Sequence, residues 1–132
     1  YFDSDRQFVA DFIGRANFIE GHVAAVGEKE TTVDSPIGRI ACEKKVDAPA
    51  GSKATVCVRP EFIRVLEGDP QGGRNVFRGK VTSLVFVGDA YEGEIRIGDT
   101  LLIFRIEPTT AVREGEEISL QFDPRHCSIL LN

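Results

Sequence analysis

The sequence predicts a mainly β protein, with a short N-terminal helix followed by antiparallel barrel-like lobes. Three observations lead there. Only the opening segment has helical periodicity, the remainder alternates apolar and polar residues in short runs, and small turns separate those runs with no room for crossover helices. Strands in that arrangement protect their edges most economically by closing into a barrel or sandwich. Two small lobes, or one barrel with strands exchanged between the halves of the sequence, satisfy the pattern equally.

The helix opens at Ser4, where Ser4-Asp5-Arg6-Gln7 fits a capping box and Asp5 puts negative charge on the free amides of the first turn. Phe8, Val9, Phe12 and Ile13 make an apolar stripe, and Gly14 supplies a left-handed terminator. So short a helix is marginal alone, so its phenylalanines need the strands or an upstream domain to pack on. Residues 1–16 are read as helix and linker, and 17–132 as the β region.

Phe18–Val26, Thr31–Ser35 and Arg39–Glu43 form the first strand set, punctuated at Gly27 and at Pro36-Ile37-Gly38. Lys53–Val58 follows, with Ala54, Val56 and Val58 on one face. Pro60 donates no amide and holds Arg59 extended, so the ladder breaks at Arg59-Pro60-Glu61 and resumes over Phe62–Leu66. Glu67–Asn75, rich in glycine, is the least core-like stretch and reads as a surface loop. Val76–Val87, Tyr91–Ile97, Leu101–Ile106, Glu117–Phe122 and Cys127–Leu131 complete the set, with turns at Gly88-Asp89, Gly98-Asp99 and Asp123-Pro124-Arg125.

The 132 residues carry 21 acidic and 16 basic side chains, a net charge of −5 that opposes nucleic-acid phosphates and anionic lipid. No apolar run is long enough to span a membrane and no signal peptide is evident. The chain begins at Tyr1 and contains no methionine, so it is expected to be cut from a longer protein. Cys42, Cys57 and Cys127 stand among apolar or strand-like neighbours without zinc-knuckle spacing, and read as buried thiols of a reducing compartment.

Catalytic motifs do not emerge. Gln71-Gly72-Gly73-Arg74 and Arg78-Gly79-Lys80 lack the spacing of a phosphate-binding loop, and no serine sits in a Gly-x-Ser-x-Gly elbow. His126 and Cys127 are adjacent in an extended run and so point to opposite faces, which disfavours a nucleophile–base pair. Glu92 and Glu94 share a strand face as ordinary solvated residues. No catalytic, metal or cofactor-binding residue is therefore assigned.

Phe8-Val9-Ala10-Asp11-Phe12-Ile13-Gly14, then Asn17, Val58-Arg59-Pro60-Glu61, Phe86-Val87-Gly88 and Asp123-Pro124 before Leu130 together resemble the C-terminal regulatory region of ATP-binding subunits of ABC importers. The systems most resembled serve spermidine and putrescine, ferric iron, and maltose. The resemblance covers essentially the whole chain. It implies OB-like barrels of the transport-associated type, an opening helix that ends the ATPase domain, and ATP with magnesium only in that missing domain. It also implies a noncatalytic regulatory and dimerisation role at the cytoplasmic face of the membrane. The implied partners are a second copy, the ATPase domain and the permease subunits, with no nucleic acid.

Asn17, Arg59, Glu61 and Gly88 are the suspected interface or regulatory contacts. Arg59 and Glu61 either anchor the turn at Pro60 through a local ion pair or face a neighbouring subunit. Asn17 bridges chain segments at the entry to the first strand, and Gly88 admits a positive φ at a hairpin tip. Two alternatives remain at this point. One is a small-ligand or oxyanion-binding barrel; the other is an RNA-binding barrel with Tyr91 and Phe104 as stacking groups.

Overall fold

The computed structural model describes residues 16–66 and 73–131. The expected N-terminal helix and the glycines of the 67–72 stretch lie outside the described residues. Ten strands follow one another: β1 (Asn17–Val26), β2 (Thr31–Ser35), β3 (Gly38–Cys42), β4 (Lys53–Val58), β5 (Ile63–Leu66), β6 (Val76–Phe86), β7 (Tyr91–Ile97), β8 (Thr100–Ile106), β9 (Glu117–Phe122) and β10 (Ser128–Leu131). The expected strands are all found, with ends within a residue or so of those read from the alternation.

They form two five-stranded antiparallel sheets, ordered β10-β4-β1-β2-β3 and β5-β9-β6-β7-β8. Each sheet takes four consecutive strands from one half of the chain and its fifth from the other. Both exchanges are made the same way. A proline-led 3-10 turn, Pro60–Phe62 or Pro124–His126, carries the chain out of one sheet and into the other.

The two halves are related by an approximate two-fold repeat. Asn17-x-x-x-Gly21-x-Val23 in β1 recurs as Asn75-x-x-x-Gly79-x-Val81 at β6. A bulge follows Val23 in its pairing with β2 and Val81 in its pairing with β7. The Val23 amide donates to Ser52 (2.8 Å) and its carbonyl accepts from Gly51 (2.7 Å); Val81 does the same with Glu116 (2.9 Å) and Gly115 (2.7 Å). Gly21 and Gly79 lie where strands press closest. A Cβ on Gly79 would sit 2.5 Å from the Arg96 carbonyl oxygen, and one on Gly21 would overlap that of Asp34.

One apolar core joins the lobes. Val33, Ile40, Val56 and Val58 fill the first, Ile95, Leu102, Phe104 and Leu120 the second, and the Phe77 and Phe122 rings meet with centroids 5.1 Å apart. Burying each of the larger side chains contributes about 1.5–3 kcal/mol. Strands β4 and β9, each flanked by a strand on either side, are covered on both faces, so even Thr55 and Ser119 are buried.

Candidate functional site

Three features stand out for function: a pair of interlobe amides, an aromatic seam at the strand exchange, and a groove beside the β6–β7 hairpin. Asn17 is 4% exposed. Its Nδ2 donates to the Ile103 carbonyl (2.7 Å) and its Oδ1 accepts from the Ile103 amide (2.7 Å). It thus crosses to β8 in the other lobe, further than the local turn expected from sequence. The side chain acts as a one-residue strand that satisfies the outer edge of β8.

Asn75 does the same for the opposite edge, at β3. Its Oδ1 accepts from the Ala41 amide (2.7 Å) while Nδ2 donates to the Ala41 and Phe122 carbonyls (2.8 and 3.1 Å). It holds a left-handed φ of 56°, a conformation asparagine tolerates better than most residues. The surface-loop expectation over Glu67–Asn75 therefore fails at Asn75, which is buried. Composition could not show that this polar residue closes an edge between lobes.

The seam lies where the two exchange turns meet. The rings of Phe62 and His126 stack with centroids 4.0 Å apart and planes inclined by 3°. Asp123 caps its turn by accepting from the Arg125 amide (2.9 Å) and holds the Arg125 guanidinium (2.8 Å). Those bonds from Arg125 bring the Asp123 carboxyl down to about 2. The first turn is built differently. Arg59 leads into it extended (φ −79°, ψ 145°) with no side-chain cap, and Glu61 lies inside the turn, exposed. Of the two readings of Arg59 and Glu61, the local ion pair around Pro60 is absent among the described residues. Among the described residues, Arg59 and Arg64 have no side-chain hydrogen bond or ion pair.

Gly88 sits at the tip of the β6–β7 hairpin with φ of 104°, closed by the Val87 amide donating to Ala90 (2.9 Å). Beside it Val85, Phe86 and Val87 are 56%, 53% and 45% exposed. Phe86 meets Tyr91 across the strands edge to face, at 5.2 Å. From Tyr91 a half-open groove of about 560 Å³ runs inward over Leu84, Ile106, Pro108 and Val112, with Arg113 and Glu116 at its side. The loop along it is fastened by carboxylates: Glu114 accepts from the Leu84 amide (3.0 Å) and Glu116 from the Arg113 amide (3.0 Å).

The sequence-predicted residues thus fall in three places and are not brought to one site. The exposed hairpin side chains are legible as alternation but not as a surface, because exposure depends on which strands pair. Phe104, considered as a base-stacking group, is fully buried and has no face to offer one. Cys42 and Cys127 are buried and Cys57 is half-buried, all as free thiols. The Cys127 thiol donates to the Asp123 carbonyl (3.5 Å), and the neighbouring Cys127 sulfur together with burial pushes the Cys42 thiol well up. His126 stacks instead on Phe62. Among the described residues no helix is long and apolar enough to cross a membrane.

The TOBE domain family matches residues 56–130. The spermidine/putrescine import ATP-binding protein PotA of Rubrobacter xylanophilus is 37% identical over 134 residues, covering 94% of this chain and 34% of that protein. PotA 2 of Pseudomonas aeruginosa is 32% identical, with coverage of 91% and 36%. PotA of Acetivibrio thermocellus is 34% identical, with coverage of 93% and 32%. The chain spans about a third of the length of these curated relatives. Among solved structures, the cytoplasmic molybdate-binding protein ModG, with molybdate bound, superposes with a TM-score of 0.79 at 16% identity, over 88% of this chain and 96% of that one. At that identity the likeness shows the OB-like fold alone.

Proposed function

The chain belongs to the TOBE domain family, and from that premise we propose that it is the noncatalytic regulatory and dimerisation region of the ATP-binding subunit of an ABC importer. One observation carries the reading: relatives named as import ATP-binding proteins match over nearly all of this chain while it accounts for about a third of each. ATP and magnesium are then handled by the remaining part of such a subunit. This region supplies surfaces that hold two subunits together while the ATPase domains open and close. Its partners are a second copy, the ATPase domain and, through the whole subunit, the permease at the cytoplasmic face of the membrane. The exposed apolar hairpin and the exposed Phe62 ring at the strand exchange support a contact-based mechanism, since both present side chains whose natural complement is another protein surface.

The test is made in the whole ATP-binding subunit. Removing residues 17–131 is expected to leave magnesium-dependent ATP turnover within a few fold and to weaken subunit pairing in the nucleotide-free state about tenfold or more. ATP turnover by the 132-residue chain itself, lost on one substitution within it, overturns the reading.

A further inference from the structure

Strands β3 and β10 are the two edges of one sheet, ordered β10-β4-β1-β2-β3, and among the described residues no ladder joins them. The sheet nevertheless curls until these edges approach each other at Cys42, the last residue of β3, and Cys127, the residue before β10. One carbonyl marks the approach. Pro124 accepts from the Glu43 amide (2.9 Å) and from the Cys127 amide (3.3 Å), so the backbones that bear the two thiols converge on a single oxygen.

Alternation decides which thiols face each other. Ile129 in β10 is buried opposite Val56, and Cys127, extended and two residues earlier, turns to the same side. Cys42 shares the inward face of β3 with Ile40. Both thiols belong to the apolar core, and the Cys127 sulfur neighbours Cys42. Cys57 pairs instead with Ser128 and is half-buried on the other face of the sheet. The contact-based function uses neither buried thiol.

We infer that Cys42 and Cys127 form a reversible intramolecular disulfide when the folded chain meets hydrogen peroxide. In the first step the Cys127 sulfur attacks one peroxide oxygen and the O–O bond breaks, giving a sulfenic acid and water. Cys127 is the sulfur to react first because it is 4% exposed against 0% for Cys42. In the second step the Cys42 sulfur displaces the sulfenic hydroxyl, which leaves with the Cys42 proton as water. Two thiols are thereby oxidised by two electrons and one peroxide is reduced to two waters. The bond closes the unladdered seam covalently and ties the second exchange turn, with the Phe62–His126 stack upon it, to the edge strand β3.

The experiment treats the folded 132-residue chain with a small excess of hydrogen peroxide, unfolds it, alkylates the remaining thiols and maps the peptides without reduction. The expected product is a Cys42–Cys127 linked peptide, lighter by two hydrogens than its parts and erased by dithiothreitol, with Cys57 still able to link nothing within the chain. Because a disulfide between sites this far apart in sequence restricts the unfolded state, the melting midpoint of the oxidised chain should rise by about 5–10 °C. Cys42→Ala removes the second thiol, so dimedone is expected to tag Cys127 as the sulfenic acid, a melt having established that the variant is folded. The map of the native chain decides by itself if that variant does not fold. Full alkylation of both Cys42 and Cys127 after peroxide, a linkage that forms only in urea, or oxidation confined to Cys57 would each overturn the inference.

Discussion

Asn17 and Asn75 perform one task from opposite lobes: each side-chain amide pairs with both backbone groups of a single residue on the other lobe's edge strand, Ile103 for Asn17 and Ala41 for Asn75. Sheets that end on a row of free amides and carbonyls invite pairing with other chains. Here each lobe blunts the other's edge. The exchanged strands and the exchanged amides together tie the two lobes to each other.

Substituting Asn75 by alanine removes three hydrogen bonds and strands the Ala41 amide and carbonyl away from water. The expected loss of folding stability is about 2–4 kcal/mol. Asn17→Ala should cost somewhat less, since two bonds are lost there. Urea unfolding of both variants, followed by fluorescence and by circular dichroism, measures this. Losses under about 0.5 kcal/mol would remove the amides from any anchoring role.

Gly79→Ala is expected to destabilise by roughly 1–3 kcal/mol, because its Cβ meets the backbone oxygen of Arg96 and the side chains of Ile95 and Ile97. A backbone atom in a paired strand cannot move aside as a side-chain tip can. Gly21→Ala should behave alike, through Asp34. Thermal melts of both variants check the equivalence of the two glycines, and a neutral outcome at one of them would break the proposed repeat.

Much of this architecture is legible from alternation. Tyr91, Gly93, Ile95 and Ile97 against Glu92, Glu94 and Arg96 define β7 to the residue, and Lys53–Val58 defines β4. Pro60 marks the break in the ladder because it lacks an amide donor. The ordered motifs from Phe8 to Asp123-Pro124 carry a resemblance to the C-terminal region of importer ATP-binding subunits, which the TOBE family match and the relatives bear out. Strand exchange is only one of two options at that level, since alternation reports faces and not neighbours. The repeat of Asn-x-x-x-Gly-x-Val is the available signal for the two-fold plan, and it points to Asn75. The groove has no signature, because it is lined from β6, β7, β8 and the loop that follows, which only the fold brings together.

The Asp123–Arg125 turn sets one pH dependence. The folded-state pKa of Asp123 is lowered from 3.8 to about 2 by its hydrogen bonds from Arg125. A lowered acid contributes its stabilisation above the unfolded value and loses it as pH falls through the folded one. Asp123→Asn should therefore flatten part of the acid side of the stability curve between about pH 4 and pH 2 and leave its neutral slope unchanged. Urea midpoints measured at several pH values test this, and an unaltered acid limb would contradict the assignment.

Thiol chemistry should rank by exposure. Cys57 is half-buried, whereas Cys42 and Cys127 are buried free thiols. Burial pushes the Cys57 thiol up, which slows its labelling at neutral pH. Iodoacetamide at about pH 8.5, followed by peptide mass mapping, should modify Cys57 first and Cys42 last. Earlier loss of Cys42 would mean that the edge strand β3 opens more readily than its packing against the second exchange turn implies.

The proposed function has the region presenting a folded surface to a companion copy. Sedimentation equilibrium of the native 132-residue chain tests that most directly. The predicted result is a reversible monomer–dimer equilibrium with a dissociation constant on the order of micromolar to tens of micromolar. A chain that stays monomeric up to about 1 mM would contradict it.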